Sequence, residues 1–157
     1  MYTGLLHLHS TLRWVALILL ILLLIRSWAG RNGNRTWNDG DRKLALFLLI
    51  SSHLQLAIGL YQWFTGPWGL PDLQANGMAA TMKNSVSRFF AVEHSIGMII
   101  AIILVTVAYS FSKKNISDTE KYSKLFLYYA IVLFLIIILV PWPFREVGMN
   151  RAWFPGM

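Results

Sequence analysis

The chain contains no cysteine among its 157 residues. Without thiols it can form neither disulfides nor thiolate metal sites, iron–sulfur clusters or covalently attached c-type haem. Charged residues are also scarce, at 13% of the chain, against about 25% in soluble domains, whereas 56% of the residues are hydrophobic. This composition is typical of a protein whose solvent is a lipid bilayer, and the length favours a single domain over 1–157.

Four long apolar runs account for most of the hydrophobic residues. Each has about 19 to 25 residues, and about 20 are needed for a helix to cross the hydrocarbon core of a membrane. Because backbone polar groups in lipid must be satisfied within their own segment, the runs must be helices. We expect an all-α, integral membrane, up-and-down four-helix bundle, with 65–86 lying along its outer surface. The predicted spans are 4–28, 44–64, 89–111 and 122–140.

The formal net charge is +7, and the positions of the positive charges indicate membrane orientation rather than a nucleic-acid partner. Nine Lys and Arg residues lie in or beside the connections that follow the first and third runs. Only four lie in the connection between the second and third runs or after the fourth run. Since basic loops stay on the cytoplasmic side, both termini are expected on the opposite side. The nine are Arg26, Arg31, Arg35, Arg42, Lys43, Lys113, Lys114, Lys121 and Lys124.

Ionisable side chains inside a membrane are costly, so they are functional candidates. An arginine at the centre of a spanning helix costs about 2.5–3.5 kcal/mol on insertion scales and needs a partner. Apart from Arg26 and Lys124 at the basic ends of their runs, six candidate residues lie inside the apolar runs, including every histidine of the chain: His7, His9, Arg13, His53, Glu93 and His94.

The depth of each histidine indicates which of them can act together. At a rise of 1.5 Å per residue, His9 and His94 both lie about 8 Å below the outer boundary. His53 lies about 15 Å deep and His7 only about 5 Å. At about 100° per residue, His7 and His9 face nearly opposite sides of their helix, and His9 shares its face with Arg13. His9 and His94 are therefore the best-matched pair.

Two histidines at equal depth on facing helices suit six-coordinate haem b, because each imidazole supplies one axial nitrogen. Arg13 could neutralise a haem propionate, and Glu93 could orient a histidine or relay a proton. His53 is the first substitute ligand and His7 the last. Such a protein would pass electrons, with quinone as a candidate partner. No catalytic residue is assigned.

Two other functions use the same residues differently. His7, His9, Glu93 and His94 could bind copper or zinc near the outer surface, since imidazole and carboxylate suit both ions. The chain could instead be a non-haem accessory subunit of a membrane complex or a homo-oligomer, its polar groups making interhelical hydrogen bonds worth about 0.6–2 kcal/mol each. In that case Arg13 and Glu93 would form a salt bridge between the first and third helices.

Four segments spread over the whole chain resemble a family of small four-helix membrane proteins of the Bacteroidetes that are labelled cytochrome B. Of these, 88–94 is the most specific. The segments are HLHSTLRW at 7–14, SHLQLAIG at 52–59, RFFAVEH at 88–94 and PWPFR at 141–145.

A weaker similarity is to one four-helix half of haem A synthase, in which histidines on two helices frame a b-type haem. Carried to this sequence, it implies His9 and His94 as axial ligands. Arg13 lies one turn from His9 rather than beside it, and His7 and His53 have no counterpart in that pattern. Together the resemblances imply a multi-pass protein of the bacterial cell membrane, with both termini periplasmic.

Overall fold

A computed structural model describes residues 2–148 and 153–154, and all regular structure in them is helical. Four helices are long and apolar enough to cross a membrane, as expected. A fifth, shorter helix was not anticipated by the sequence analysis. The five are α1 (Tyr2–Gly30), α2 (Asp39–Thr65), α3 (Leu70–Lys83), α4 (Ser85–Ser112) and α5 (Asp118–Leu139), followed by a 3₁₀ turn at Glu146–Gly148.

The long helices extend beyond several ends of the apolar runs because polar residues cap them. The side chain of Asn38 accepts a hydrogen bond from the backbone N–H of Asp41, which starts α2 five residues before the predicted 44–64. Ser117 accepts from the backbone N–H of Glu120 at the start of α5 in the same way. Such caps satisfy N–H groups that have no partner inside the helix.

The four long helices form an up-and-down bundle in which each packs beside its neighbours in sequence and α5 returns to α1. This arrangement puts α1 and α4 diagonally across the bundle. Tyr2, Trp153 and α3 lie at one end, here called the α3 end, and the connections after α1 and α4 lie at the other, the loop end. Contacts that fix the antiparallel order are Arg26–Asp41, Trp63–Ala91, His94–Leu139 and Trp28–Phe126.

The connection between α2 and α4 contains α3, where sequence analysis had placed only an extended surface segment. Pro71 stands in its first turn, where a missing N–H costs nothing. Gly77 has φ +77°, a conformation that favours glycine, and kinks the helix. Across the kink, Asp72 accepts hydrogen bonds from Asn76 and Thr81. Pro71 therefore marks the start of α3 and Gly77 kinks it, but neither residue prevents the helix from forming.

One hydrophobic core joins the four long helices, while much of their remaining surface is apolar and exposed. Ile25, Leu127 and Phe134 are about 60% exposed, and such a surface calls for lipid or a protein partner. A row of mostly small residues along α4 is buried, so that face of the helix lies inside the bundle. Its members are Ser87, Ala91, Gly97, Ala101, Val105 and Ala108.

Candidate functional site

His94 is held by a hydrogen bond from its ring to the end of α5. Its Nδ1 lies 2.6 Å from the carbonyl oxygen of Leu139. Because a carbonyl only accepts, Nδ1 must carry the proton, and Nε2 is then the basic nitrogen of the neutral ring. The carbonyl is available because the residue four positions later is Pro143, which has no N–H. Metal-binding histidines commonly donate their second ring nitrogen to a carbonyl in this way.

The backbone before His94 has an unusual geometry. Residues Phe89–Glu93 form a π-helical turn inside α4. A π turn inserts one extra residue into a helix and often occurs at functional sites. The hydroxyl of Ser95 donates to the Phe90 carbonyl oxygen at 2.7 Å, which satisfies one acceptor of the widened turn. The aromatic rings of Phe89 and Phe90 pack about 6 Å from the imidazole of His94.

His9 packs against α2 at Gln55 and Gly59. The side-chain amide of Gln55 donates to the backbone oxygen of His9 at 2.9 Å. A Cβ at position 59 would lie 3.3 Å from Cε1 of His9, so Gly59 gives the imidazole the room it occupies. The contacts with Gln55 and Gly59 thus fix the position of His9 along the bundle axis and the distance of its ring from α2.

Several buried polar atoms near His9 have no hydrogen-bond partner among the described residues. They are Nδ1 of His9, Oε1 of Gln55 and Nε2 of Gln62. Such atoms are rare in native proteins, and bound water or a ligand commonly satisfies them.

His9 and His94 both lie at the α3 end of the bundle, on the diagonal helices α1 and α4, close enough for their charges to interact. That the two residues bind one ligand stays a prediction. Diagonal helices present side chains to each other across the centre of a four-helix bundle. Imidazoles on two facing helices are the ligands that a b-type haem takes, and the ring of His9 is partly buried.

Arg13 lies one turn from His9 but is engaged by the carboxyl-terminal part of the chain. Its Nη2 donates to the backbone oxygen of Trp153 at 3.1 Å. The indole N–H of Trp14 donates to the same oxygen at 2.9 Å. The guanidinium also lies 5.3 Å from the ring of Trp14 and 5.5 Å from that of Trp142. These contacts seat the charge among aromatic rings, within the electrostatic reach of His9.

Glu93 is paired outside the bundle centre. Its carboxylate accepts a hydrogen bond of 2.7 Å from Nε of Arg88, and both side chains are about 40% exposed. The ring of His94 is oriented by Leu139 at its Nδ1 instead. Glu93 therefore anchors the first turns of α4, and the ionic partner found for it is Arg88 rather than the expected Arg13.

His7 and His53 are both exposed on the outer surface of the bundle. His53 bonds through Nδ1 to the carbonyl oxygen of Leu49 at 2.9 Å and lines a shallow apolar groove with Ile50 and Leu54. Sequence analysis had made His53 the first substitute ligand and His7 the last. Among residues 2–148 and 153–154 no helix covers either side chain, so neither is placed as an alternative partner of His94.

Nowhere in 2–148 and 153–154 do three His, Asp or Glu residues come together as a metal site. The expected copper or zinc cluster of His7, His9, Glu93 and His94 therefore does not form. A haem needs only two axial histidines, so this finding does not bear on it.

The sequence analysis missed a buried ionic cluster at the loop end. Asp41 is fully buried and bonds to Arg26 at 2.9 Å and to Arg35 at 3.1 Å. The hydroxyl of Tyr122 donates to Asp41 at 2.7 Å and lies 3.1 Å from the Thr36 oxygen. The Tyr122 hydroxyl and the Asp41 carboxylate raise the pKa of Arg35, which stays charged. The cluster ties α1, α2 and α5 together and has a structural role.

No family model matches the chain, and neither a curated protein nor a solved structure is detectably similar to it. The function must therefore be argued from the geometry of the site.

Proposed function

We propose that the chain is a b-type cytochrome-like protein of the bacterial cell membrane, in which α1, α2, α4 and α5 cross the bilayer with both termini periplasmic. The single observation that carries the haem proposal is the placement of His9 and His94 at the same end of the bundle on diagonal helices, with the Nδ1–H of His94 donating to the Leu139 carbonyl oxygen. The basic loop end supports the orientation, since Lys and Arg stay on the cytoplasmic side.

In this proposal each residue of the site has a separate task. His94 and His9 would supply the axial nitrogens, and haem held between them would supply a one-electron redox couple. The Leu139 carbonyl fixes the tautomer of His94, and Gly59 leaves room for the ring of His9. Arg13 places a positive charge near His9, where it would favour a propionate. Quinone is the proposed electron partner because it is a redox carrier that dissolves in the bilayer.

The test is a dithionite-reduced minus oxidised absorption spectrum of the detergent-purified chain, with iron analysis on the same sample. We expect a split Soret and α-band signal with about one iron per chain, which two axial histidines require. His9→Ala and His94→Ala should each lose the six-coordinate spectrum. His7→Ala and His53→Ala are matched controls and should retain it. A flat spectrum after expression with ample haem, or loss only in the controls, would overturn the proposal.

The exposed position of His53 favours a second function, that of an accessory subunit or homo-oligomer. An imidazole facing lipid near the middle of a spanning helix is costly, and a neighbouring chain could satisfy it. His53→Leu should then break the complex, measured by native gel mobility after mild solubilisation, while any haem spectrum stays intact. Unchanged mobility would remove this alternative.

A further inference from the structure

A cavity of about 480 Å³ opens at the loop end, between the starts of α2 and α5 and the end of α4. Its volume lies within the usual range of small-ligand sites. Three cations and one carboxylate line it, so its net charge is positive. The lining residues are Trp37, Asn38, Asp39, Arg42, Ser112, Lys113 and Lys121.

Lys121 is the unusual member of this lining, because it is a buried lysine without an acidic partner among the described residues. It is only 8% exposed, and lysine is almost never so buried unless paired. Its Nζ lies 5.5 Å from the ring of Trp37, a cation–π contact that offsets only part of the lost hydration. The salt bridges of 2–148 and 153–154 do not include Lys121.

The nearby carboxylates do not neutralise the cavity. Asp41 is already shared by Arg26, Arg35 and the Tyr122 hydroxyl. Asp39 is 82% exposed and bonds to Arg42 at 3.6 Å, a surface pair that contributes little. Lys121 therefore lines a cavity whose net charge is positive and whose one carboxylate, that of Asp39, is already paired with Arg42.

We infer that this cavity binds a phosphate group, carried by the headgroup of an anionic lipid. A phosphate matches several cations at once through charge-assisted hydrogen bonds. The lipid is the favoured source because the cavity lies where the apolar helix surfaces end, and basic pockets between helices at the cytoplasmic face bind such headgroups. This inference rests on the proposed membrane crossing and orientation but not on haem.

The test is thermal unfolding of the full chain in an uncharged detergent at low salt, with phosphatidylglycerol added in steps. Phosphatidylcholine and inorganic phosphate form the other two arms. Lys121→Met keeps the apolar stem over Trp37 and removes the charge, whereas Lys43→Met removes a charge from the same end outside the cavity. We expect the midpoint to rise with phosphatidylglycerol, and Lys121→Met to weaken the apparent affinity about tenfold. Lys43→Met should leave it nearly unchanged.

Each other outcome has a definite meaning. Equal loss in Lys121→Met and Lys43→Met, or equal stabilisation by phosphatidylcholine, would overturn the site. Stabilisation by inorganic phosphate that disappears in Lys121→Met would support the phosphate site and overturn the lipid as its source. If Lys121→Met does not fold, Lys113→Met takes its place with the same expectation. A lipid effect with a flat haem spectrum would uphold this inference while refuting the haem proposal.

Discussion

The ring of His94 and the carbonyl oxygen of Leu139, 2.6 Å apart, connect the start of α4 to the last residue of α5. Two features of the sequence make the connection possible. The π turn before His94 sets the direction of the imidazole, and Pro143 leaves the carbonyl without its usual helical donor. A change that separates α4 from α5 should therefore act on the histidine from a distance.

Gly97→Ala tests this connection. A Cβ at this position would overlap the Leu139 side chain, so that side chain must change its rotamer or α4 and α5 must move apart. Overpacking of this kind costs about 1–3 kcal/mol. We expect a lower unfolding midpoint in detergent, together with a changed haem spectrum if His94 is a ligand. Gly4→Ala is the control, since nothing lies within 4 Å of its Cβ, and it should not lower the midpoint. Equal midpoints for both variants would refute the close α4–α5 contact.

Gly59 also leaves room for a neighbouring side chain, here the ring of His9, but a Cβ at this position would meet it less closely than one at Gly97 meets Leu139. A Cβ there would lie 3.3 Å from Cε1 of His9, so the ring must shift by only a few tenths of an ångström. Gly59→Ala should therefore alter the ligand field while leaving stability within about 1 kcal/mol, because alanine also favours the helix. Gly59→Leu should abolish six-coordinate haem binding, because its side chain would fill the space of the imidazole.

The measurement is the low-spin haem signal of each variant beside its thermal midpoint. A full low-spin spectrum in Gly59→Leu would show that His9 does not ligate at this place. If Gly59→Leu loses the low-spin spectrum only because the protein unfolds, Gly59 has a packing role and the result does not support His9 as a ligand.

Asp41→Ala should be among the most destabilising single changes at the loop end. Removing one partner of a buried ion pair costs about 3–5 kcal/mol. Arg26 and Arg35 remain 39% and 34% exposed and can regain water, so the lower limit of about 3 kcal/mol is expected. Asp39→Ala, at an exposed surface pair, should cost less than about 1 kcal/mol. Chemical unfolding of both variants in mixed micelles measures the difference, and similar losses would contradict a structural role for the cluster.

Most of the fold could be predicted from hydropathy, because length and apolar content decide whether a segment can cross a membrane. Helix α3 could not, since Pro71 and Gly77 are turn signals in isolation. The hydrogen bonds that Asn76 and Thr81 donate to the Asp72 carboxylate form only once the chain is folded. Asp41 was overlooked because it lies before the apolar run, where an acidic residue in a helix start is usually solvated.

The sequence was sufficient to predict which residues belong to the candidate site, but not which atoms those residues contact. Counting residues from the span ends put His9 and His94 at one level, and the structure places both at the α3 end on diagonal helices. The hydrogen bond of His94 to Leu139 could not be foreseen, because Leu139 accepts it through its backbone oxygen. His53 was predicted as a substitute ligand from its depth, but depth does not show whether another helix covers that face of α2, and the structure leaves His53 exposed.

The orientation of the bundle can be tested directly because the chain has no cysteine. A single introduced thiol is then the only target for a maleimide that cannot cross membranes. Gln74→Cys in α3 and Asn115→Cys between α4 and α5 report the two ends, and both positions are exposed. With basic loops inside, Gln74→Cys should react in intact spheroplasts, whereas Asn115→Cys should react only after lysis. Asn32→Cys, at the loop end, should match Asn115→Cys. The reverse labelling would invert the topology and remove the cytoplasmic lipid leaflet from the Lys121 cavity, and labelling of all three in intact spheroplasts would contradict a membrane-spanning bundle.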